Sequence, residues 1–145
     1  MKLTALLLSG LFFSFFLGCT SQKYTPDTYT ESQIRFGSGG GVTGAIKTYC
    51  LLDNGRLFVQ QTQNDEFKAL KKVSKKAYQK LFASAKELEI ANMKFKQPGN
   101  FYHFIEIHEN GSKNRIVWGS HQAEAPAGVE EFYRLLMNSG KKSTN

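Results

Sequence analysis

Apolar and polar positions along this chain follow two periods, and the changes between them mark its elements. Residues 32–36 (S-Q-I-R-F) alternate, which predicts a first strand. Residues 37–44 (G-S-G-G-G-V-T-G) predict a Gly-rich loop, and residues 45–52 a second strand with Ile46, Cys50 and Leu52 on one face. Asp53-Asn54-Gly55 predicts a hairpin turn, because Asn and Gly tolerate the positive φ such turns need. Residues 56–63 are the return strand, fraying at their polar end, and residues 67–73 an edge strand guarded by lysines.

The period then becomes helical. Ser74 can cap a helix over residues 75–88, in which Ala77, Tyr78, Leu81, Phe82, Ala85 and Leu88 form one stripe. Pro98-Gly99-Asn100 breaks the chain before the most strand-like segment, residues 101–109 (F-Y-H-F-I-E-I-H-E). Asn110-Gly111 turns it and residues 115–119 return. Ala125-Pro126 opens a last helix with Val129, Phe132, Tyr133 and Leu136 as its core stripe and Gly140 as its end. These elements predict one α+β domain over residues 32–138, an antiparallel sheet of two or more hairpins packed against two amphipathic helices, with residues 139–145 as a basic polar tail.

The segment before the domain has a different character. Met1-Lys2 is a short positive start, and residues 3–18 are sixteen positions without a charge. A spanning helix needs roughly 20 apolar residues, so this run suits a signal-peptide core better than a permanent anchor. It ends in Phe16-Leu17-Gly18-Cys19, and here the chain resembles bacterial lipoproteins. Gly18 and Cys19 match the lipobox, while Phe16 and Leu17 stand where the class usually has Leu and a small residue. The resemblance implies cleavage by signal peptidase II after residue 18. Cys19 would then carry diacylglycerol on sulfur and a fatty acyl group such as palmitate on its new amino terminus. Buried acyl chains at about 0.8 kcal/mol per CH₂ would make such an anchor effectively permanent. Thr20, in place of the Asp that retains many such proteins in the inner membrane, favours the outer membrane. Residues 20–31 are polar and contain Pro26, and are expected to tether the domain with a reach of roughly 40 Å at about 3.3 Å per residue.

Composition narrows the function classes. The 145 residues are 41% hydrophobic and 13% aromatic, too apolar for a disordered chain. Two cysteines cannot form a disulfide scaffold, and Cys and His do not fall at zinc-finger spacing. The 19 Lys and Arg against 12 Asp and Glu give a net charge of +7. Nine of the fifteen lysines lie between residues 68 and 96, and Lys72, Lys76 and Lys80 are candidates for an anionic-surface patch. Nucleic acid is a poor partner outside the cytoplasm, so anionic lipid headgroups, acidic glycans or an acidic protein are the expected ones.

Candidate chemistry is sparse. Gly39-x-Gly41-x-x-Gly44 satisfies the dinucleotide fingerprint formally, but a strand follows it instead of the helix whose amides would hold a pyrophosphate. The segment Gly39, Gly40, Gly41, Val42, Thr43 and Gly44 is instead expected as a flexible connection whose backbone could meet a protein partner. His103, Glu106 and His108 share a strand, yet alternation sends His103 to one face and Glu106 with His108 to the other. His121 is the remaining histidine, and convergence of Glu106, His108 and His121 in a pocket would favour an enzyme. Cys50 reads as a small buried apolar residue. No catalytic residue, metal site or cofactor is assigned.

The element order supports a second resemblance. Phe36-Gly37-Ser38-Gly39-Gly40-Gly41-Val42-Thr43-Gly44 precedes a strand and hairpin, then come a helix, the strand Phe101-Tyr102-His103-Phe104-Ile105-Glu106-Ile107, an Asn-Gly turn and a Pro-led helix. This resembles the emfourin-type domain, whose characterised member inhibits thermolysin-like metallopeptidases. The Gly segment here is longer and a Lys-rich stretch is inserted, so no inhibitory residue carries over. The expectation is a lipid-anchored, non-catalytic binding module, with inhibition of such a peptidase as the alternative and an enzyme as a more distant one.

Overall fold

A computed structural model describes residues 24–142. In chain order the elements are β1 (Gln33–Gly40), β2 (Ile46–Leu52), β3 (Leu57–Gln60), β4 (Lys68–Ala69), α1 (Lys75–Glu87), β5 (Lys96–Gln97), β6 (Phe101–Glu109), β7 (Ser112–Trp118) and α2 (Val129–Lys142). They form one α+β domain around a seven-stranded open sheet in the order β4-β3-β2-β1-β6-β7-β5. Every neighbouring pair is antiparallel except β5 with β7. The sheet is thus larger than the hairpins alone predict: β1 joins the two halves, pairing with β2 on one side and β6 on the other.

Strand alternation sorts side chains to two faces. Ile34 and Phe36 of β1, Tyr49 and Leu51 of β2, Ile105 and Ile107 of β6, and Ile116 and Trp118 of β7 share one core with Leu81 and Ala85 of α1 and Val129, Phe132 and Leu136 of α2. The Ser74 hydroxyl accepts the Ala77 N–H at 3.4 Å and caps α1 as expected. Asn110 and Gly111 have φ of 52° and 74°, the pair of positive values a two-residue hairpin turn requires.

Several expectations change. Residues 37–40 are not loop but the end of β1: residues 37–39 pair with both β2 and β6, and Gly40 pairs with Phe101 of β6. β7 begins at Ser112, three residues early, since so tight a turn sets Glu109 opposite Ser112 at once. Pro126 precedes α2 by three residues: Gly128 at φ 80° is not helical, and the helix starts after it. Gly140 does not end α2. It lies buried inside the helix against the Tyr49 ring, where a Cβ would come within 3.1 Å, and α2 continues to Lys142. The expected strand over residues 67–73 shrinks to β4 at the sheet edge.

The second face carries a smaller cluster of Cys50, Leu52 and Phe58, packed by Tyr24, Tyr29 and Phe67. The stretch expected as tether therefore lies against the sheet from Tyr24 onward. Gln33, buried on this face, holds it there: its amide donates to the Pro26 carbonyl at 3.0 Å and to that of Tyr29 at 3.3 Å. Arg35 adds bonds to the Pro26 carbonyl and the Asp27 carboxylate, and the Tyr29 hydroxyl donates to Asp53.

Candidate functional site

The glycines of β1 are fixed by what lies over them. A Cβ on Gly37 would sit 2.0 Å from the Lys47 carbonyl oxygen, and one on Gly39 would sit 2.7 Å from the Tyr102 hydroxyl. Phe104 and Tyr102 are the cross-strand partners of Gly37 and Gly39, so aromatic side chains of β6 fill the space the glycines leave. Gly40 and Gly41 have φ of 99° and 75°, and their Cβ atoms would meet the Asn100 carbonyl oxygen at 2.0 Å and the Phe101 ring at 2.7 Å. Of the six candidate partner-binding residues, Gly40 and Gly41 are thus required by backbone geometry, and Gly39 lies under the Tyr102 side chain. Gly39 is paired with both Ile46 and Tyr102, so another strand cannot add at that position.

Val42, Thr43 and Gly44 are left as a tip. It is a built turn: Gly41 N–H donates to the Asn100 carbonyl at 2.9 Å, Gly44 N–H to that of Gly41 at 3.1 Å, and Ala45 N–H to the Thr43 hydroxyl at 3.4 Å. Val42 at its apex is fully exposed, and Phe101, whose ring lies across Gly41, is 70% exposed. Two large apolar side chains stand in water at one end of the sheet.

Glu106 and His108 meet on the second sheet face, where the Glu106 carboxylate contacts the His108 ring and Arg115 lies 3.5 Å away. The bond from His108 holds the Glu106 carboxyl below its usual range against the opposing effect of burial, helped by the charges of His108, Arg115 and Arg35. The Arg115 guanidinium stacks 3.7 Å from the Phe104 ring. Cys50 lies nearby with no exposed surface, its thiol donating to the Gln33 amide oxygen at 3.1 Å. Burial pushes that thiol up to about 12, so it is not a nucleophile at neutral pH.

His121 is not part of this group. It follows β7 and lines a cleft of about 490 Å³ with His103, Trp118, Glu124 and Glu130. The His103 ring lies tilted against both Trp118 and Tyr133, which meet each other edge-on, and bonds the Tyr133 hydroxyl through Nδ1 at 3.1 Å. Desolvation lowers the pKa of His103 and raises that of Tyr133 to about 12. Glu106, His108 and His121 therefore do not converge. Among the described residues no three of His, Cys, Asp and Glu come together as a metal site, and no helix is long and apolar enough to cross a membrane.

Lys72 and Lys80 line a groove of about 450 Å³ between α1 and α2, together with Lys71 and Lys142. Val73, Ala77, Leu81 and Leu135 form its apolar part, and no acidic residue lines it. Lys76 is exposed beside Lys72 and Lys75 where α1 begins. That first turn holds no acidic residue, although the helix dipole favours one.

Cys19 lies outside the described residues. No protein-family model and no curated protein matches the chain. The buried Gln33 and the docked Tyr24–Tyr29 stretch left no sequence signal. The glycine–aromatic pairing did, since G-S-G and Y-H-F share a period of two on strands that meet.

Proposed function

We propose that this chain is a lipid-anchored protein of the bacterial envelope, attached through Cys19 and directed to the outer membrane, whose domain is a non-catalytic binding module. The anchor is supported by the uncharged run ending at Gly18-Cys19. The observation that carries the binding role is the exposed Val42 beside Phe101 on a hydrogen-bonded turn. An apolar tip whose backbone is already ordered loses little entropy when a partner covers it. The separation of His121 from Glu106 and His108 argues against the enzyme alternative.

Two measurements test this reading. Cells making Cys19→Ala should release the protein from membranes after a high-salt wash, while wild type stays bound. A photocrosslinker in place of Val42 should capture a specific envelope protein, and one in place of Glu87 should not. Sedimentation of the variant with membranes, or equal capture at both positions, contradicts the proposal.

The emfourin resemblance supplies a second reading with the same tip, in which the partner is a thermolysin-like metallopeptidase. Titration of such a peptidase with the protein should then inhibit it at micromolar concentration, and Val42→Ser should weaken inhibition without unfolding the domain. No inhibition by the parent protein removes this reading.

A further inference from the structure

The docked N-terminal stretch and the segment that carries the lysines reach the same turn from opposite faces of the sheet. The Asp53–Gly55 turn touches both: Asp53 accepts the Tyr29 hydroxyl and its N–H donates to the Ser32 carbonyl, while the Gly55 carbonyl accepts the Val73 N–H at 2.9 Å just before α1. The Tyr24 ring stacks edge-on against Tyr29, with centroids 5.6 Å apart. Tyr24, through Tyr29, and the start of α1, with Lys71, Lys72, Lys75 and Lys76, are thus both tied to one turn.

Only residues 20–23 separate Tyr24 from Cys19. At up to about 3.6 Å per residue, the Cys19 Cα lies within roughly 18 Å of Tyr24, whatever path they take. That is less than half the reach of a free tether of residues 20–31. A lipid on Cys19 therefore holds the Asp53–Gly55 end close to the bilayer. All four lysines there are exposed, and none makes an ion pair among the described residues. The Val42 tip sits at the other end of β1 and β2, and the eight residues of β1 alone separate the ends by roughly 23 Å at about 3.3 Å per residue.

From this we infer that Lys71, Lys72, Lys75 and Lys76 form a membrane-docking surface for the anionic headgroups of the same bilayer that holds the Cys19 lipid. The inference rests on the lipid-anchor reading above. Docking turns a short leash into a fixed orientation, with the lysine end on the headgroups and the Val42–Phe101 tip facing away. A second, electrostatic contact beside an acyl anchor is how basic patches and lipids act together. Each lysine removed should weaken the contact on the order of fivefold in low salt.

The test uses the full chain in its own membranes, with a photoreactive residue in place of Lys75 or of Val42. The probe at 75 should form phospholipid adducts at least tenfold more often than the probe at 42. Those adducts should fall in high salt and on changing Lys71, Lys72 and Lys76 to Gln, while the protein still sediments with membranes. Equal lipid adducts at both positions in sedimenting protein, or indifference to salt and to the Gln changes, overturns the docking surface and leaves the anchor standing. A Cys19 without lipid mass in the same preparation overturns the anchor reading, and the docking inference with it.

Discussion

The Tyr133 hydroxyl donates to the Gly37 carbonyl oxygen at 3.1 Å, a bond that joins the last helix to the central strand across 96 residues of sequence. The same hydroxyl lies 3.1 Å from His103 Nδ1. With its proton given to Gly37, it accepts from His103, so the bonding pattern assigns the neutral imidazole its proton on Nδ1. Replacing Tyr133 with Phe removes both bonds while keeping the ring. Urea unfolding should show a loss of about 1–2 kcal/mol with an unchanged slope. A stability equal to wild type would mean that water replaces the hydroxyl at no cost.

The glycines separate into two groups by what a side chain would meet. Gly40→Val meets the Asn100 carbonyl at a positive φ, and Gly37→Ala meets the Lys47 carbonyl oxygen of the neighbouring strand. Gly44 also has a positive φ, 61°, but nothing lies within 4 Å of its Cβ position. Thermal melts should show Gly37→Ala and Gly40→Val severely destabilised, by about 3 kcal/mol or more, and Gly44→Ala by about 1–2 kcal/mol. Equal losses at all three would contradict the packing described for β1.

Substitution of Lys72, Lys76 and Lys80 by Gln should leave the domain folded. All three are exposed and none is in an ion pair among the described residues. The melting temperature should move by no more than about 2 °C, since solvent screens such charges. A cooperative loss of folding would place these side chains in the core.

Two groups give stability a pH dependence in separate windows. The Glu106 pKa is lowered in the folded protein from 4.5, so its contribution is complete above 4.5 and is lost as pH falls through the folded value. The His103 pKa is lowered from 6.5, so the folded state resists protonating it and stability declines as pH falls from 6.5 toward the folded value. Urea midpoints measured against pH should lose the acid limb below 4.5 in Glu106→Gln and the limb below 6.5 in His103→Gln. Unaltered limbs would show that other groups carry the titration.

Much of this fold was legible in the sequence because its strands and helices differ in period and its turns use residues with few alternatives. Ser74, Asn110-Gly111 and the 101–109 alternation each report a local preference that the tertiary structure keeps. The glycine run predicts a loop because glycine propensity is local, whereas the rings of Phe104 and Tyr102 that pack over it as a strand come from more than sixty residues away. Gly140 fails in the same way: its helix-ending tendency yields to close packing on Tyr49. Gln33 gave no warning because a buried amide is decided entirely by the carbonyls that face it. The separation of His103 from Glu106 and His108 was readable from strand alternation, and the distance of His121 from them was not, since it lies in a loop.

Attachment through Cys19 is tested most directly by the mass of the mature amino-terminal peptide isolated from the membrane fraction. Lipid anchoring predicts a chain beginning at Cys19, with diacylglycerol on its sulfur and an acyl group on its α-amine, and no such species from Cys19→Ala. A chain that begins elsewhere, or one that carries an unmodified Cys19 thiol, would contradict it.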